Sequence, residues 1–108
     1  EKKDPRLQSM ANEGELVTTM ILAASKGDLT AIQRLIARGA SINTADYDGR
    51  TPLHLAAAEG QRHVVELFIE HGAHLNPVDR WGGTPLQDAE TGNHKEVISL
   101  LKNASQNS

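Results

Sequence analysis

The sequence predicts an all-α solenoid of three stacked helix-turn-helix units joined by short hairpin fingers, and three observations carry that prediction. Thr51-Pro52-Leu53-His54 is followed 33 residues later by Thr84-Pro85-Leu86-Gln87. Gly39-Ala40 and Gly72-Ala73 are separated by the same offset. Aromatic residues make up only 3% of the chain, so a core must be assembled from aliphatic side chains, as short stacked helices allow. A fixed period of this length is typical of folds in which each unit packs only against its neighbours.

The same offset defines a third, earlier unit. It places Met20 at the position of Leu53 and Gly27 at the position of Gly60. This first unit keeps the apolar and glycine positions, but it reads Thr18-Thr19-Met20-Ile21 where the second unit has its Thr-Pro-Leu-His motif. Three units are about the minimum that can bury a continuous core, and the length of the chain predicts one domain.

The domain boundaries follow from these units. We expect a polar lead-in, with a short helical turn near Leu7, before the repeat domain, and a frayed tail after it. The expected ranges are 1–14 for the lead-in, 15–104 for the domain, about 15–45, 46–78 and 79–104 for its repeats, and 105–108 for the tail.

The first helix of the second unit has a clear start and end. Thr51 is expected to cap it with its hydroxyl, and Pro52 suits the first turn, where a missing N–H costs nothing. Ala56-Ala57 is small enough to let neighbouring helices approach closely. Gly60 is expected to supply the left-handed residue that ends the helix.

The second helix of that unit is expected to run from about Arg62 to His71, and Gly72 is expected to end it. In the third unit Asn93 takes the place of Gly60, and asparagine is the residue that next best tolerates a positive φ. The apolar residues that mark the buried stripe of the helix are Val64, Val65, Leu67 and Phe68.

This pattern resembles the ankyrin repeat, whose period is 33 residues. The resemblance implies a packing module, so a binding surface is expected rather than a reaction centre. It also implies that the ring of His54 joins one finger to the next by hydrogen bonds, whereas Gln87 has no following repeat to serve. In such repeats the finger residues and the last turn of the inner helix line a concave face. The residues at those positions are Ser25, Lys26, Tyr47, Asp48, Arg50, Ala58, Glu59, Arg80, Trp81, Gly83, Thr91 and Gly92.

Within this face, six residues are the candidate protein-binding site: Tyr47, Asp48, Arg50, Glu59, Arg80 and Trp81. Trp81 is the only tryptophan of the chain, and it lies beside Arg80. An exposed tryptophan next to arginine is typical of a binding anchor. A ring that covers the neighbouring finger, or the next element of a longer chain, is an equally good interpretation from the sequence.

Composition argues against several classes of partner. A net charge of −3 and a pI near 5.9 provide no basic field for a phosphate backbone, so nucleic acid is not an expected partner. The sequence has no long apolar run, and no membrane span is expected. With no cysteine, disulfides and thiolate chemistry are excluded, which suits a reducing compartment.

The residues show little sign of catalytic or metal chemistry. Of the five histidines, His71 and His74 are the closest pair, but no third ligand is fixed by spacing. Glu66, Glu70 and Asp88 are expected on separate exposed faces of short helices, where no catalytic pair is aligned. We therefore expect no catalytic residue, no metal site and no cofactor, and we expect another protein or a second copy of the parent chain as the partner.

A narrower similarity covers most of the chain. It is carried by Ala23-Ala24, Gly27-Asp28, Asp46-Tyr47-Asp48, Arg50-Thr51, Leu53-His54, Ala56-Ala57-Ala58-Glu59-Gly60, Asn76-Pro77 and Asp79-Arg80-Trp81. Together with Asp4-Pro5-Arg6, which lies outside the repeats, these segments resemble the C-terminal ankyrin region of animal kidney- and liver-type glutaminases. His71-Gly72-Ala73 and Thr51-Pro52-Leu53-His54-Leu55 are instead of the general ankyrin form.

The glutaminase resemblance implies a parent enzyme that hydrolyses L-glutamine to L-glutamate and ammonia, in mitochondria, with an upstream serine-dependent domain. The chain does not begin with methionine, and it is expected to be a fragment that carries none of the catalytic residues. The ankyrin region then serves assembly, regulation or docking in an oligomeric enzyme. The alternative is a general protein-binding module of a kinase, a potassium channel or an adaptor, because plant ankyrin kinases and channels carry similar fingers without the Asp-Pro-Arg segment.

Overall fold

The computed structural model describes residues 13–106, and of Glu13 only the backbone. The predicted helical turn near Leu7 and the Asp4-Pro5-Arg6 segment lie outside these residues. The described part is all-helical, without strands, and none of its helices is both long and apolar enough to cross a membrane. Its helices are α1 (Glu13–Lys26), α2 (Leu29–Ala37), α3 (Pro52–Ala58), α4 (Arg62–Glu70), α5 (Pro85–Thr91) and α6 (Lys95–Gln106).

The helices form two layers, with one helix of each unit in each layer. In the inner layer α1 packs against α3 and α3 against α5, while in the outer layer α4 packs against α6. Within each unit the inner helix also packs against the outer helix that follows it. The structure is therefore the predicted solenoid of three helix-turn-helix units.

The inner helices of the second and third units start with the same threonine cap, which the sequence predicts at Thr51. At α3, Thr51 Oγ1 accepts a hydrogen bond from the His54 amide at 3.3 Å, and Pro52 occupies the first turn. At α5, Thr84 Oγ1 accepts from the Gln87 amide at 3.2 Å. These caps satisfy amides that have no partner within the helix.

The first unit begins differently. Its inner helix α1 starts at Glu13, so Thr18 lies inside the helix and not at its start. The Thr18 hydroxyl donates to the Gly14 carbonyl oxygen one turn back, at 2.9 Å. The residues that would form a finger before this helix are part of the helix itself. The Thr-Pro motif therefore marks a helix start only in the second and third units.

The ends of the helices are close to the predicted positions. Gly60 and Gly72 have φ values of +71° and +76°, and Asn93 takes φ +60°, as predicted. Helix α4 ends at Glu70, one residue before the predicted end. Helix α6 continues to Gln106, two residues into the segment predicted as a frayed tail, whose last two residues are not described.

The core repeats with the same period as the sequence. Ala24 and Ala57, at equivalent positions of α1 and α3, are completely buried, as small residues between closely packed helices must be. The predicted apolar stripe of α4 is confirmed, since three of its residues are fully buried and Leu67 packs against them. The largest fully buried side chains are Phe68, Met20, Ile32, Leu53, His54, Val64, Val65 and Val97.

Replacing Gly60 with alanine is expected to lower the free energy of unfolding by about 2 kcal/mol. The positive φ strains any residue with a Cβ, and the new Cβ would lie 2.5 Å from Nδ1 of His94. Gly72→Ala is the matched control, because its φ is similar and nothing lies within 4 Å of a Cβ there. Urea unfolding should show a larger loss for Gly60→Ala; equal losses would contradict the proposed clash with His94.

Candidate functional site

Each finger is a tight turn held by one aspartate. In the first finger Asp46 Oδ1 accepts from the amides of Asp48 and Arg50, at 2.9 and 3.0 Å. In the second, Asp79 Oδ1 accepts from the amides of Trp81 and Gly83, at 3.0 and 2.7 Å. Because these carboxylates satisfy the turn amides, the finger backbone is fixed before any partner binds.

Hydrogen bonds link the two fingers to each other. Arg80 donates its amide to the Asp48 carbonyl oxygen at 2.8 Å, and its guanidinium to the Asp48 carboxylate at 3.0 Å. His54 Nε2 donates to the Gly83 carbonyl oxygen at 2.9 Å, which confirms the predicted histidine link between repeats. The fingers therefore form one connected surface.

The inner helices add a second row of residues to this surface. In α3 the first residues, Ala56 and Ala57 are buried. Leu55, Ala58 and Glu59 are more exposed and share one helix face by their spacing of three and four. We call the two finger turns and these helix residues the finger face. The helix residues that occupy equivalent positions in the three units are Leu22, Ser25 and Lys26, then Leu55, Ala58 and Glu59, then Asp88, Thr91 and Gly92.

Apolar side chains at the fingers project into solvent. Tyr47 is fully exposed, Trp81 is 68% exposed and Val78, just before the second turn, is 60% exposed. The Arg80 guanidinium carbon lies 5.5 Å from the centre of the Trp81 ring, within cation–π distance. Within the described residues the Trp81 ring is thus open to a partner. A large exposed aromatic side chain on a rigid turn is the kind of group that anchors protein interfaces.

The six candidate binding residues differ in what they contact. Tyr47, Glu59 and Trp81 are exposed, but Asp48 and Arg50 are half-buried. Asp48 links the two fingers through Arg80, and Arg50 contacts Asp46 within the first finger. Arg50 Nε lies 3.6 Å from the Asp46 carboxylate, too long for a hydrogen bond, and this buried atom has no other hydrogen-bond partner. Arg80 takes both roles, because its amide holds the fingers together while its guanidinium lies beside the ring.

A cluster of three titratable groups lies beneath the fingers, where none was predicted. Ligand atoms of His54, Asp79 and Asp88 lie within 4.8 Å of one another. The prediction that Asp88 lies on an isolated exposed face is wrong: its side chain is half-buried and faces the second finger. Asp88 replaces Leu22 and Leu55 of the earlier units, so it takes an apolar position of the repeat.

The two carboxyl groups of this cluster have opposite pKa shifts. The Gly83 amide hydrogen bond is the main cause that lowers the pKa of Asp79, with the Trp81 amide adding to it. Burial raises the pKa of Asp88, and the negative charge of Asp79 adds to the rise.

Burial disfavours the ionised form of Asp88, so replacing it with asparagine is expected to stabilise the domain at neutral pH. The gain should be only about 0.5 kcal/mol, because solvent screens the charge and because an acid near the start of a helix is itself favourable. Because the folded pKa is raised, the penalty exists only while Asp88 is ionised. The gain in stability should disappear as the pH falls through the raised pKa toward 3.8, the ordinary pKa of an aspartate.

Asp79→Asn is the matched counterpart and should destabilise the domain at neutral pH. The pKa of Asp79 is lowered in the folded domain from its ordinary value of 3.8. Its stabilising effect is therefore present above pH 3.8 and is lost as the pH falls through the lowered pKa. Thermal unfolding of both variants across pH measures these effects. Effects of the same sign in the two variants at neutral pH would contradict the assigned roles.

The geometry of the cluster favours a structural role over a metal site. His54 Nδ1 accepts from the Thr51 amide at 3.0 Å, and Nε2 donates to Gly83, so both ring nitrogens are already used. A metal ion requires a free nitrogen lone pair. His71 and His74, the pair weighed from the sequence, are both exposed and belong to no group of three candidate ligands in residues 13–106.

Sequence reasoning missed a second set of links between repeats. Gln61 Nε2 donates to the Ser25 carbonyl oxygen, and His94 Nε2 to the Ala58 carbonyl oxygen, each at 2.9 Å. The two donors are equivalent residues 33 positions apart. A polar residue with a ring or amide donor at both positions is the signal that could have revealed them.

Comparison with known proteins adds a family and two partial relatives. A family model for ankyrin repeats (3 copies) matches residues 20–108. A putative glutaminase 2 of Caenorhabditis elegans is 38% identical over 53 residues, which are 49% of this chain and 9% of that protein. The potassium channel GORK of Arabidopsis thaliana is 48% identical over 42 residues, which are 39% of this chain and 5% of that protein. The chain spans less than a tenth of either relative.

Proposed function

This chain belongs to the ankyrin-repeat family, and from that premise we propose that its finger face binds a protein partner or another copy of the parent chain. An ankyrin-repeat domain is a non-catalytic protein-interaction module. The observation that carries the proposal is the exposed pair Tyr47 and Trp81, on turns whose backbone is already fixed by Asp46 and Asp79. A rigid turn with an exposed aromatic side chain loses little entropy on binding.

The face also has the polar contacts that give an interface its orientation. Glu59 is exposed at the end of α3, and Arg80 offers guanidinium donors beside the Trp81 ring. Aromatic and arginine side chains are enriched at the centres of interfaces, where they contribute most of the binding energy. The six candidate residues are proposed as this interface, with Asp48 and Arg50 supporting the exposed ones.

For the parent protein we propose a glutaminase that hydrolyses L-glutamine to L-glutamate and ammonia, with this chain as its C-terminal region. The similarity to the nematode protein supports this proposal. In that setting the domain serves assembly, regulation or docking of an oligomeric mitochondrial enzyme.

A second candidate for the parent is a potassium channel, favoured by the similarity to GORK. In that case the domain is a general interaction module, as it would be in a kinase or an adaptor. The coding sequence upstream of Glu1 distinguishes the two. An amidase domain with a Ser-x-x-Lys motif supports the glutaminase, and membrane-spanning helices or kinase motifs contradict it.

The interaction function is tested by comparing finger variants with an outer-layer control. Sedimentation velocity measures self-association, and selection from a random peptide library measures capture of other partners. Trp81→Ala and Arg50→Ala should weaken either self-association or peptide capture, while Lys95→Ala on the outer helix α6 should weaken neither. If both finger variants behave like the wild type in both assays, the finger face is not the binding surface.

A further inference from the structure

The finger face has more acidic than basic groups, and its arginines are already paired. Arg50 lies 3.6 Å from the carboxylate of Asp46, and Arg80 lies 3.0 Å from that of Asp48. Glu59, Asp79 and Asp88 have no ion pair within the described residues, and Lys26 is the one other cation of the face. The face therefore presents five carboxylates against three cationic side chains.

Basic side chains are concentrated on the opposite layer. Five of the eight lysines and arginines in residues 13–106 lie on the outer helices or at their ends: Arg34, Arg38, Arg62, Lys95 and Lys102. Four carboxylates, Asp28, Glu66, Glu70 and Glu96, also lie there. The outer layer thus has five cationic groups against four acidic ones, whereas the finger face has three against five. A field of one sign on one face steers partners of the opposite sign toward it.

The acidic groups lie next to the exposed apolar ones. Asp79 belongs to the same turn as Trp81, and Asp88 lies beneath that turn beside Asp79. Neither carboxylate forms an ion pair in residues 13–106, although the positive charge of Arg50 favours the ionised form of both. A cationic group of a partner placed there would be attracted by both, while its apolar neighbours reach Trp81 and Val78.

We propose that the occupant of the finger face is a basic segment of another protein, in which lysine or arginine alternates with apolar residues. Its cationic side chains pair with Glu59, Asp79 and Asp88, and its apolar residues contact Tyr47, Val78 and Trp81. This inference rests on the proposed function, and it adds the chemistry of the partner. Charge complementarity selects a basic segment over an acidic one.

The test is selection of random peptides on the immobilised wild-type domain, with counter-selection on the Trp81→Ala variant. Peptides that require Trp81 are expected to carry an excess of lysine and arginine over aspartate and glutamate. Titration of a selected peptide, followed by the fluorescence of Trp81, should show affinity that falls as salt is added. The double variant Glu59→Gln with Asp88→Asn should bind roughly three- to tenfold more weakly.

The matched control removes the same charge from the outer layer. Glu70→Gln with Glu96→Gln alters two exposed acids of α4 and α6 and should leave the affinity unchanged. Thermal unfolding of both double variants shows whether weaker binding by the finger variant reflects a loss of the fold.

The outcomes separate this inference from the proposed function. Neutral or acidic peptides that require Trp81 would overturn the basic partner and leave the finger face as the interaction surface. Self-association through the finger face that no peptide displaces would show that the occupant is a second copy, and it would also overturn the inference. Failure to enrich any Trp81-dependent peptide, without self-association, would overturn both.

Discussion

Replacing His54 with alanine is expected to lower the free energy of unfolding by about 3 kcal/mol. The ring is completely buried, and it connects the start of α3 to the second finger through Thr51 and Gly83. The substitution leaves a cavity. It also leaves the Thr51 amide and the Gly83 carbonyl oxygen without the hydrogen-bond partner that the ring provides. For a domain of this size the melting temperature should fall by roughly 10–20 °C, as measured by circular dichroism.

The control for this prediction is His54→Gln. In the third unit Gln87 accepts from the Thr84 amide at 3.1 Å, so glutamine can replace the capping function of the ring. Glutamine at position 54 should restore the helix cap without the link to Gly83, and the loss should fall to about 1.5 kcal/mol. Equal stability of His54→Ala and the wild type would show that the link between repeats contributes nothing.

Replacing Trp81 with alanine is expected to weaken binding of a finger-face partner by at least about 2 kcal/mol, or roughly thirtyfold. The ring is 68% exposed, so a partner that covers it gains a large apolar area that the free domain leaves in water. Since the side chain is mostly exposed, stability should change by no more than about 0.5 kcal/mol. Isothermal titration with a selected peptide measures the affinity.

Trp81→Phe is the conservative variant for this prediction. It keeps an aromatic surface but reduces the contact area and the interaction with Arg80, so it should lose less affinity than alanine. Leu22→Ala removes an exposed apolar residue at the far end of the finger face, where a smaller effect is expected. An affinity that is unchanged by Trp81→Ala would remove the tryptophan from the interface.

The period of 33 residues is enough to predict the solenoid and most of its local structure. The caps at Thr51 and the positive φ of Gly60 and Asn93 follow from the chemistry of single residues and their neighbours in the chain. The role of His54 follows from the ankyrin resemblance. These features are local or repeat with the motif, which is why one sequence suffices to predict them.

Contacts across the repeats were harder to predict. The cluster of Asp88 with Asp79 depends on how closely α5 approaches the second finger, which spacing alone does not determine. The ion pair of Arg80 with Asp48 depends on which rotamers an exposed and a half-buried side chain adopt. The starting residue of α1 differs because the first unit has helix where the others have a finger.

The most direct test of the finger face as the binding surface is an amide NMR titration of the isotope-labelled domain with a selected peptide. Binding at the finger face should change the shifts in both finger turns and at the Trp81 indole N–H, with little change in α4 and α6. Shift changes confined to those outer helices, with the indole signal unmoved, would contradict it.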